Sequence, residues 1–158
     1  PGVPITVLVM FLGGLCCQIA GNTHNPQSKA YRRLAHQCHK KLKQWKKNGT
    51  RNCDHYLLIL SAEKNAMNGR RDDAIRDYHQ AIEEASKRNY IQDQALASER
   101  LGRFLCKIGM VQNGQNYMDK AYSLYSTWGA AGKVDMLRSD PTFKLSLIHQ
   151  QASESDSN

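Results

Sequence analysis

The stretch AEKNAMNGRRDDAIRDYHQA, from Ala62 to Ala81, decides the fold, because its spacing of small residues returns forty residues later in GRFLCKIGMVQNGQNYMDKA, from Gly102 to Ala121. Five positions keep their spacing and size class: Ala62, Gly69, Ala74, Tyr78 and Ala81 recur as Gly102, Gly109, Gly114, Met118 and Ala121. Small residues at such intervals let two helices approach closely, and each helical hairpin leaves an apolar face for a neighbour to cover. The repeat therefore predicts an all-α fold of stacked antiparallel helical hairpins, an α-solenoid.

Helical periodicity outside the repeat agrees with this prediction. Apolar residues from Tyr31 to Trp45 share one helix face, and Asn48-Gly49 ends that helix. Asp54 is a candidate N-cap for the next helix, and Asp140-Pro141 ends the last one, because a residue before proline leaves the helical region. The predicted later helices are 54–67, 71–87, 91–108, 113–128 and 130–137.

The charge of the chain is concentrated in one segment. The formal net charge is +8, and the stretch from Lys29 to Arg51 holds nine Lys or Arg residues and no acid. Five cysteines at irregular spacings fit reduced thiols in a cytosolic protein better than a disulfide framework. The sequence therefore predicts a cytoplasmic helical protein with one basic helix.

The apolar run from Ile5 to Ala20 leaves two interpretations open. It is shorter than the roughly 20 residues of a spanning helix, and it has no basic residues before it as a signal peptide has. A buried helix separated from upstream partners is favoured over a signal or membrane segment. We divide the chain into an N-terminal helix at 1–25, helical repeats at 26–139 and a largely disordered tail at 140–158.

The repeated positions resemble the tetratricopeptide motif. Counted from His55, the first copy matches the motif at all five positions, whereas the second copy, counted from Ala95, departs from it at Gly114 and Met118. The forty-residue pitch is longer than the usual tetratricopeptide length. We therefore expect helices longer than those of the usual motif. The implied function is protein–protein interaction.

A closer resemblance covers about Tyr31 to Leu137. Its phrases include Lys43-Gln44-Trp45 and, as the most specific, Trp128-Gly129-Ala130-Ala131-Gly132-Lys133-Val134. These phrases resemble the helical-repeat region of large signalling proteins that join a protein-kinase-like domain, an AAA-type predicted ATPase and often GAF and histidine-kinase modules. The resemblance implies a regulatory or interaction region in the C-terminal part of such a protein.

The tetratricopeptide resemblance also implies a partner-binding groove lined by the first helix of each hairpin. Its lining would be Tyr56, Ile59 and Glu63 from one repeat, and Leu96, Glu99, Arg103 and Lys107 from the next. The alternative for Glu99 and Arg103 is a simple surface pair at i, i+4 worth roughly 0.3 to 0.5 kcal/mol.

The residues give no signal for catalysis, a cofactor or a metal. The glycines do not have the spacing of a phosphate loop or a dinucleotide fingerprint, so we expect no ATPase or kinase activity within these residues. His36, Cys38, His39, Cys53 and His55 form the one cluster of candidate metal ligands, but Cys38 lies on the apolar side of its helix. Core thiols and solvated histidines are the favoured interpretation.

The basic helix is the second candidate binding surface. Its predicted patch consists of Lys29, Arg33, Lys40, Lys43 and Lys47, opposite the apolar stripe that contains Trp45. Such a helix suits an acidic protein or an anionic membrane surface, with nucleic acid disfavoured, but a solvated face of a packed helix has the same pattern. If the apolar stripe were free, a calmodulin-type target would be the alternative.

Three functions follow from these observations. The favoured one is a non-catalytic helical-repeat region that binds a protein partner or neighbouring domains of the same polypeptide. The first alternative is part of an ATP-dependent signalling enzyme whose catalytic domains lie upstream. The second is a membrane-anchored or secreted helical protein that begins with the apolar run.

Overall fold

The chain is helical throughout the part that a computed structural model describes, residues 5–23, 26–50 and 52–141. Within these ranges there are seven α-helices and no strand, which confirms the all-α class. The helices are α1 (Ile5–Gly21), α2 (Ser28–Lys47), α3 (Asp54–Met67), α4 (Arg71–Lys87), α5 (Ile91–Lys107), α6 (Val111–Trp128) and α7 (Ala131–Ser139).

The chain forms two compact units, Pro1–Glu84 and Ala85–Asn158, which we call the first and second unit. In the first unit α1 and α2 are antiparallel, and a Cβ added at Gly14 of α1 would lie 3.0 Å from Cβ of Cys38 in α2. The ring of Phe11 stacks on Tyr56 of α3 with centroids 4.3 Å apart. Ser61 and Asn65 of α3 both donate hydrogen bonds to Oδ2 of Asp77 in α4, at 2.7 and 2.8 Å.

The second unit consists mainly of the α5–α6 hairpin with α7 against α6. Its core contains Ala95, Met118, Ala121, Tyr125 and Leu137, all nearly or fully buried. The side chains of Tyr122, Leu124 and Val134 pack against this core. Bulky residues of α6 and α7 therefore close over the small residues of α5.

The forty-residue repeat has a structural counterpart at every shared position. Ala62, Ala74 and Ala81 are fully buried, and Gly102, Gly114 and Ala121 are buried as well. Tyr78 and Met118 are each 1% exposed. The two remaining glycines follow α3 and α5 in the left-handed region, with φ of 73° at Gly69 and 89° at Gly109. The two copies thus use equivalent residues for equivalent local structure.

Two glycines of the second copy hold α5 and α6 unusually close. A Cβ at Gly102 would lie 2.8 Å from the carbonyl oxygen of Gly114, and a Cβ at Gly114 would lie 2.8 Å from the carbonyl oxygen of Gly102. Real Cβ atoms do not approach backbone so closely, because the atoms would overlap. Glycine is therefore required at this crossing by the distance between the helices.

The predicted ends of the later helices lie within about two residues of the observed ones: α5 ends at Lys107 rather than 108, α6 begins at Val111 rather than 113, and α7 spans Ala131–Ser139 rather than 130–137. The predicted cap of α3 is wrong. Asp54 is the first residue of α3 rather than its N-cap, which is Cys53 without a side-chain cap hydrogen bond. The Asp54 carboxylate instead pairs with Lys46 at 2.5 Å. Asp140 is extended, with ψ of 123°, as expected before proline.

The apolar run forms α1, and only one face of this helix is buried. Val7, Phe11 and Leu15 are at most 5% exposed, whereas Ile5 and Val9 on the other face are 70% and 62% exposed. The prediction of a buried helix thus holds for half of its circumference. In the described ranges, no helix has the length and apolar character needed to cross a membrane.

The predicted tail lies largely outside the described residues, which end at 141. Asp140, assigned to the tail, is instead held by the second unit, because Nη1 of Arg103 in α5 lies 2.6 Å from its Oδ2. The ordered part of the second unit therefore continues at least to this residue.

Candidate functional site

The groove residues of α3 are buried in the first unit. Tyr56 is 2%, Ile59 0% and Glu63 6% exposed. The face of α3 that carries Tyr56 is covered by α1, through the stacking of Phe11 on the tyrosine ring. The expectation that these three residues line a partner groove is corrected by this burial, because a covered side chain cannot contact a partner.

The predicted groove residues of α5 differ in their exposure to solvent. Lys107 is exposed and Leu96 is partly buried, while Glu99 is only 4% exposed and Arg103 is partly buried. The alternative of a solvated surface pair for Glu99 and Arg103 is therefore also wrong. Their ion pair, 3.1 Å from Nε of Arg103 to Oε1 of Glu99, belongs to a larger network.

The Glu99 carboxylate is the centre of this network, which links α5, α6 and α7. The hydroxyl of Tyr125 in α6 donates a hydrogen bond of 2.9 Å to Oε2 of Glu99. Nζ of Lys133 in α7 lies 2.7 Å from the same oxygen and 5.1 Å from the centroid of the Tyr125 ring. Arg103 extends the network to Asp140. Three helices therefore meet at one carboxylate, and Arg103 connects the residue after α7 to the same network.

The electrostatics of the network keep Glu99 ionised. Burial raises the pKa of Glu99, but hydrogen bonds from Lys133 and Tyr125, together with the charges of Lys133 and Arg103, outweigh it and leave the pKa below its usual range. Burial and the neighbouring Glu99 charge raise the pKa of Tyr125, so its hydroxyl remains a donor. Such a charge-satisfied cluster is suited to holding helices together.

The predicted basic patch on α2 is exposed at all five positions: Lys29, Arg33, Lys40, Lys43 and Lys47. The opposite face of α2 is packed, with Leu42 fully buried and Ala35 6% exposed. Trp45 is partly buried, and Leu34 at the edge of the stripe is 47% exposed. The apolar stripe is thus engaged along most of its length, as predicted.

A cleft between α2, α3 and α4 of the first unit adjoins this patch. Its volume is about 910 Å³. We call it the α2–α4 cleft. It is lined by His39, Lys43, Lys46 and Lys47 of α2, by Asp54, Leu57, Leu58 and Ser61 of α3, and by Gln80, Glu83 and Glu84 of α4.

The cleft has basic and acidic sides. The α2 side carries lysines, and the α4 side carries Glu83 and Glu84. The less exposed Leu57 and Leu58 of α3 supply the apolar part of the lining. The sequence pattern did not predict this site. The adjacent acids Glu83 and Glu84 near the end of α4 are the sequence feature that belongs to it, but their position opposite α2 depends on tertiary packing.

His39 is the most perturbed side chain of the cleft. Its Nε2 atom is buried, and no described residue gives it a hydrogen bond. Burial, with the nearby charges of Lys43, Lys64 and His36, lowers the pKa of His39 to about 4. His39 is therefore neutral at physiological pH.

The candidate metal ligands do not converge. In the described part of the chain, no group of three or more His, Cys, Asp or Glu side chains is arranged to hold a metal ion. The histidines are not all solvated as expected, because His55 is fully buried, with its ring 4.0 Å from that of Tyr56. Cys53 is buried as a core thiol that donates a hydrogen bond to the carbonyl oxygen of Thr50, and none of the five cysteines forms a disulfide.

Comparison with known proteins gives no family for this chain. No protein-family model, curated protein or solved structure matches it.

Proposed function

We propose that this chain is a non-catalytic helical-repeat region that binds an acidic protein partner through the basic face of α2. The observation that carries the proposal is the exposure of all five patch residues on a helix whose opposite face is buried. Because the apolar face of α2 already packs within the first unit, its charged face is the part left for contact with another molecule.

Within the described part of the chain, the five patch residues keep their charges exposed. Among the described residues, none of the five forms a salt bridge with a carboxylate, whereas Lys46 on the same helix pairs with Asp54. Lysine and arginine side chains that stay solvated cost little to recruit for binding, and clustered like charges steer a partner of opposite sign. An acidic surface on the partner is complementary in charge to these five side chains.

Two features favour a protein partner over nucleic acid. Glu83 and Glu84 line the cleft beside Lys43 and Lys47, so their negative charge repels a phosphate backbone at that end of the patch. The patch also lies along a single helix, and no aromatic side chain in it offers a base-stacking surface. A protein partner needs no base-stacking surface, and unlike a continuous phosphate backbone it can place uncharged or basic side chains opposite Glu83 and Glu84.

The pKa shifts of Glu99 and Tyr125 support a structural rather than a catalytic use of these two residues. Glu99 and Tyr125 have shifted pKa values, but they satisfy each other and two cations inside the second unit. Catalytic acids and bases need access to a substrate. The resemblance to large kinase- and ATPase-type signalling proteins suggests that such a region would regulate or recruit, with any chemistry done by other domains.

Binding of the chain to acidic probes at two salt concentrations tests the proposal. The probes are an acidic polypeptide, anionic vesicles and duplex DNA, compared at low and physiological ionic strength. We expect the polypeptide to bind best, and more weakly at higher salt, because exposed charges are screened over about 8 to 10 Å. Replacing Lys40, Lys43 and Lys47 by Gln should reduce that binding strongly.

A control variant with the same change in net charge distinguishes an effect of the patch from an effect of the overall charge. Arg70, Arg71 and Lys120 are also exposed, so replacing them by Gln removes the same formal charge away from the patch. Equal binding by the two triple variants would contradict the proposal. Preference for vesicles or DNA would assign the patch to a different class of partner, and salt-resistant binding lost in Trp45→Ala would favour a free apolar stripe.

A further inference from the structure

The α2–α4 cleft combines two signs of charge with an apolar strip. Lys43 and Lys47 of α2 are exposed on one side, and Glu83 of α4 is exposed on the other. Leu58 of α3 is partly exposed between them in the lining. Lys46 is close enough to Glu84 for that charge to contribute to its raised pKa, although the hydrogen bond to Asp54 is the main cause. The cleft thus offers opposite charges to one occupant.

Its dimensions fit about two turns of helix. The α2 lining runs from His39 to Lys47, which at 1.5 Å per residue is roughly 12 Å. The volume of about 910 Å³ lies near the upper end of the range for ligand pockets and is far more than an ion fills. The Lys46–Asp54 ion pair joins α2 and α3 beside the connection between these helices.

The backbone of the cleft decides between a helical and an extended occupant. All three surrounding elements are helices, whose backbone N–H and C=O groups are paired internally away from their ends. An extended peptide therefore finds no strand edge to pair with, and its own backbone groups lose water without replacement. A helix satisfies its backbone internally and presents rows of side chains, which is the helix-in-groove mode of recognition.

We propose that the α2–α4 cleft binds an amphipathic helix of a protein partner. In this complex an apolar row of the partner helix lies on Leu58, an acidic row faces Lys43 and Lys47, and a basic row faces Glu83 and Glu84. The inference rests on the proposed function for the class of partner, and it adds the partner's secondary structure and its charge pattern.

Three synthetic helical peptides of about 20 residues test the inference by fluorescence anisotropy. Each has a leucine row flanked by two charged rows: one glutamate and one lysine row in the mixed peptide, two glutamate rows in the acidic peptide, and two lysine rows in the basic peptide. The full chain should bind the mixed peptide about fivefold to tenfold more tightly than either uniform peptide, since each mismatched row loses exposed ion pairs.

Charge reversal on one side of the cleft should change the preferred peptide. The double variant with Glu83→Lys and Glu84→Lys should prefer the acidic peptide, and the double variant with Lys43→Glu and Lys47→Glu should prefer the basic one. The control with Asp72→Lys and Asp135→Lys, at exposed sites outside the cleft, should keep the preference of the unmodified chain. Helical content measured by circular dichroism verifies that each variant is folded.

The result separates this inference from the proposed function. If the unmodified chain binds the acidic peptide best and reversal at Glu83 and Glu84 changes nothing, the cleft inference is overturned while binding by the basic face stands. If reversal of either side leaves the preference for the mixed peptide intact, the cleft is not the site. If no acidic probe or peptide binds, both proposals fail.

Discussion

The hydroxyl of Tyr125 donates a 2.9 Å hydrogen bond to Oε2 of Glu99, 26 residues earlier in the chain. The same carboxylate oxygen lies 2.7 Å from Nζ of Lys133. A glutamate that is 4% exposed is costly to bury alone, and here a neutral donor and two cations compensate for that cost. This carboxylate therefore fixes how α5, α6 and α7 meet.

Removing the Glu99 carboxylate should destabilise the second unit. We expect Glu99→Ala to lower the free energy of unfolding by about 3 kcal/mol, the low end for a broken buried ion pair, because Lys133 and Arg103 keep some access to water. Glu99→Gln should cost less, since its amide oxygen still accepts from Tyr125. Urea unfolding followed by Trp128 fluorescence in a Trp45→Phe background reports on this unit, because the chain has only two tryptophans. Unchanged stability of Glu99→Ala would contradict the role of the network.

Acid should weaken the first unit through His39. The folded pKa of about 4 lies below the unfolded value near 6.5, so the unfolded state binds more protons between these pH values. The stabilisation is complete above pH 6.5 and falls as the pH drops towards 4, by no more than about 1.4 kcal/mol per pH unit for one proton. Unfolding followed by Trp45 in a Trp128→Phe background measures this slope.

Two histidine variants identify the source of that slope. His39→Gln should flatten the pH dependence, because no imidazole remains to be protonated in the unfolded state. His36→Gln changes an exposed neighbour on the same helix and should leave most of the slope in place. A slope that survives in His39→Gln would show that another group is responsible.

A charged side chain at Ala81, one of the repeated small positions, should destabilise the fold. Ala81 is fully buried, so Ala81→Glu places a carboxylate where it has neither water nor a prepared partner. The expected loss is several kcal/mol, visible as a large fall in melting temperature. Gln80→Glu introduces the same group one residue earlier at an exposed position and should change stability by less than about 0.5 kcal/mol. Similar melting temperatures for the two variants would refute the assignment of Ala81 to the core.

The helices and their ends could be predicted because their signals are local. The bounds of α4 follow from apolar spacing and from the turns at Asn68-Gly69 and Asn89, and the extended backbone at Asp140 follows from Pro141. Asp54 shows where a local rule fails: a cap was expected, but the carboxylate is used by Lys46 on another helix.

The sites were less predictable because they depend on which helices become neighbours. Tyr56 has the composition of a groove residue, and only the stacking of Phe11 from α1 shows that it is core. Glu99 and Arg103 were recognisable as an i, i+4 pair, but Tyr125 and Lys133 reach them from two other helices. The exposed basic patch was predictable because one helix supplies all of it, whereas the α2–α4 cleft needs three.

Alanine substitution at the repeated glycines tests most directly the central claim, that the forty-residue repeat marks points of close helix contact. Gly102→Ala and Gly114→Ala should each lower the free energy of unfolding by several kcal/mol, because each added methyl group would lie 2.8 Å from backbone of the facing helix. Gly132→Ala in α7, with nothing within 4 Å of its Cβ, should be neutral or stabilising by up to about 1 kcal/mol. Losses at the first two positions and none at the third would support the account. Equal stability of all three variants would contradict it.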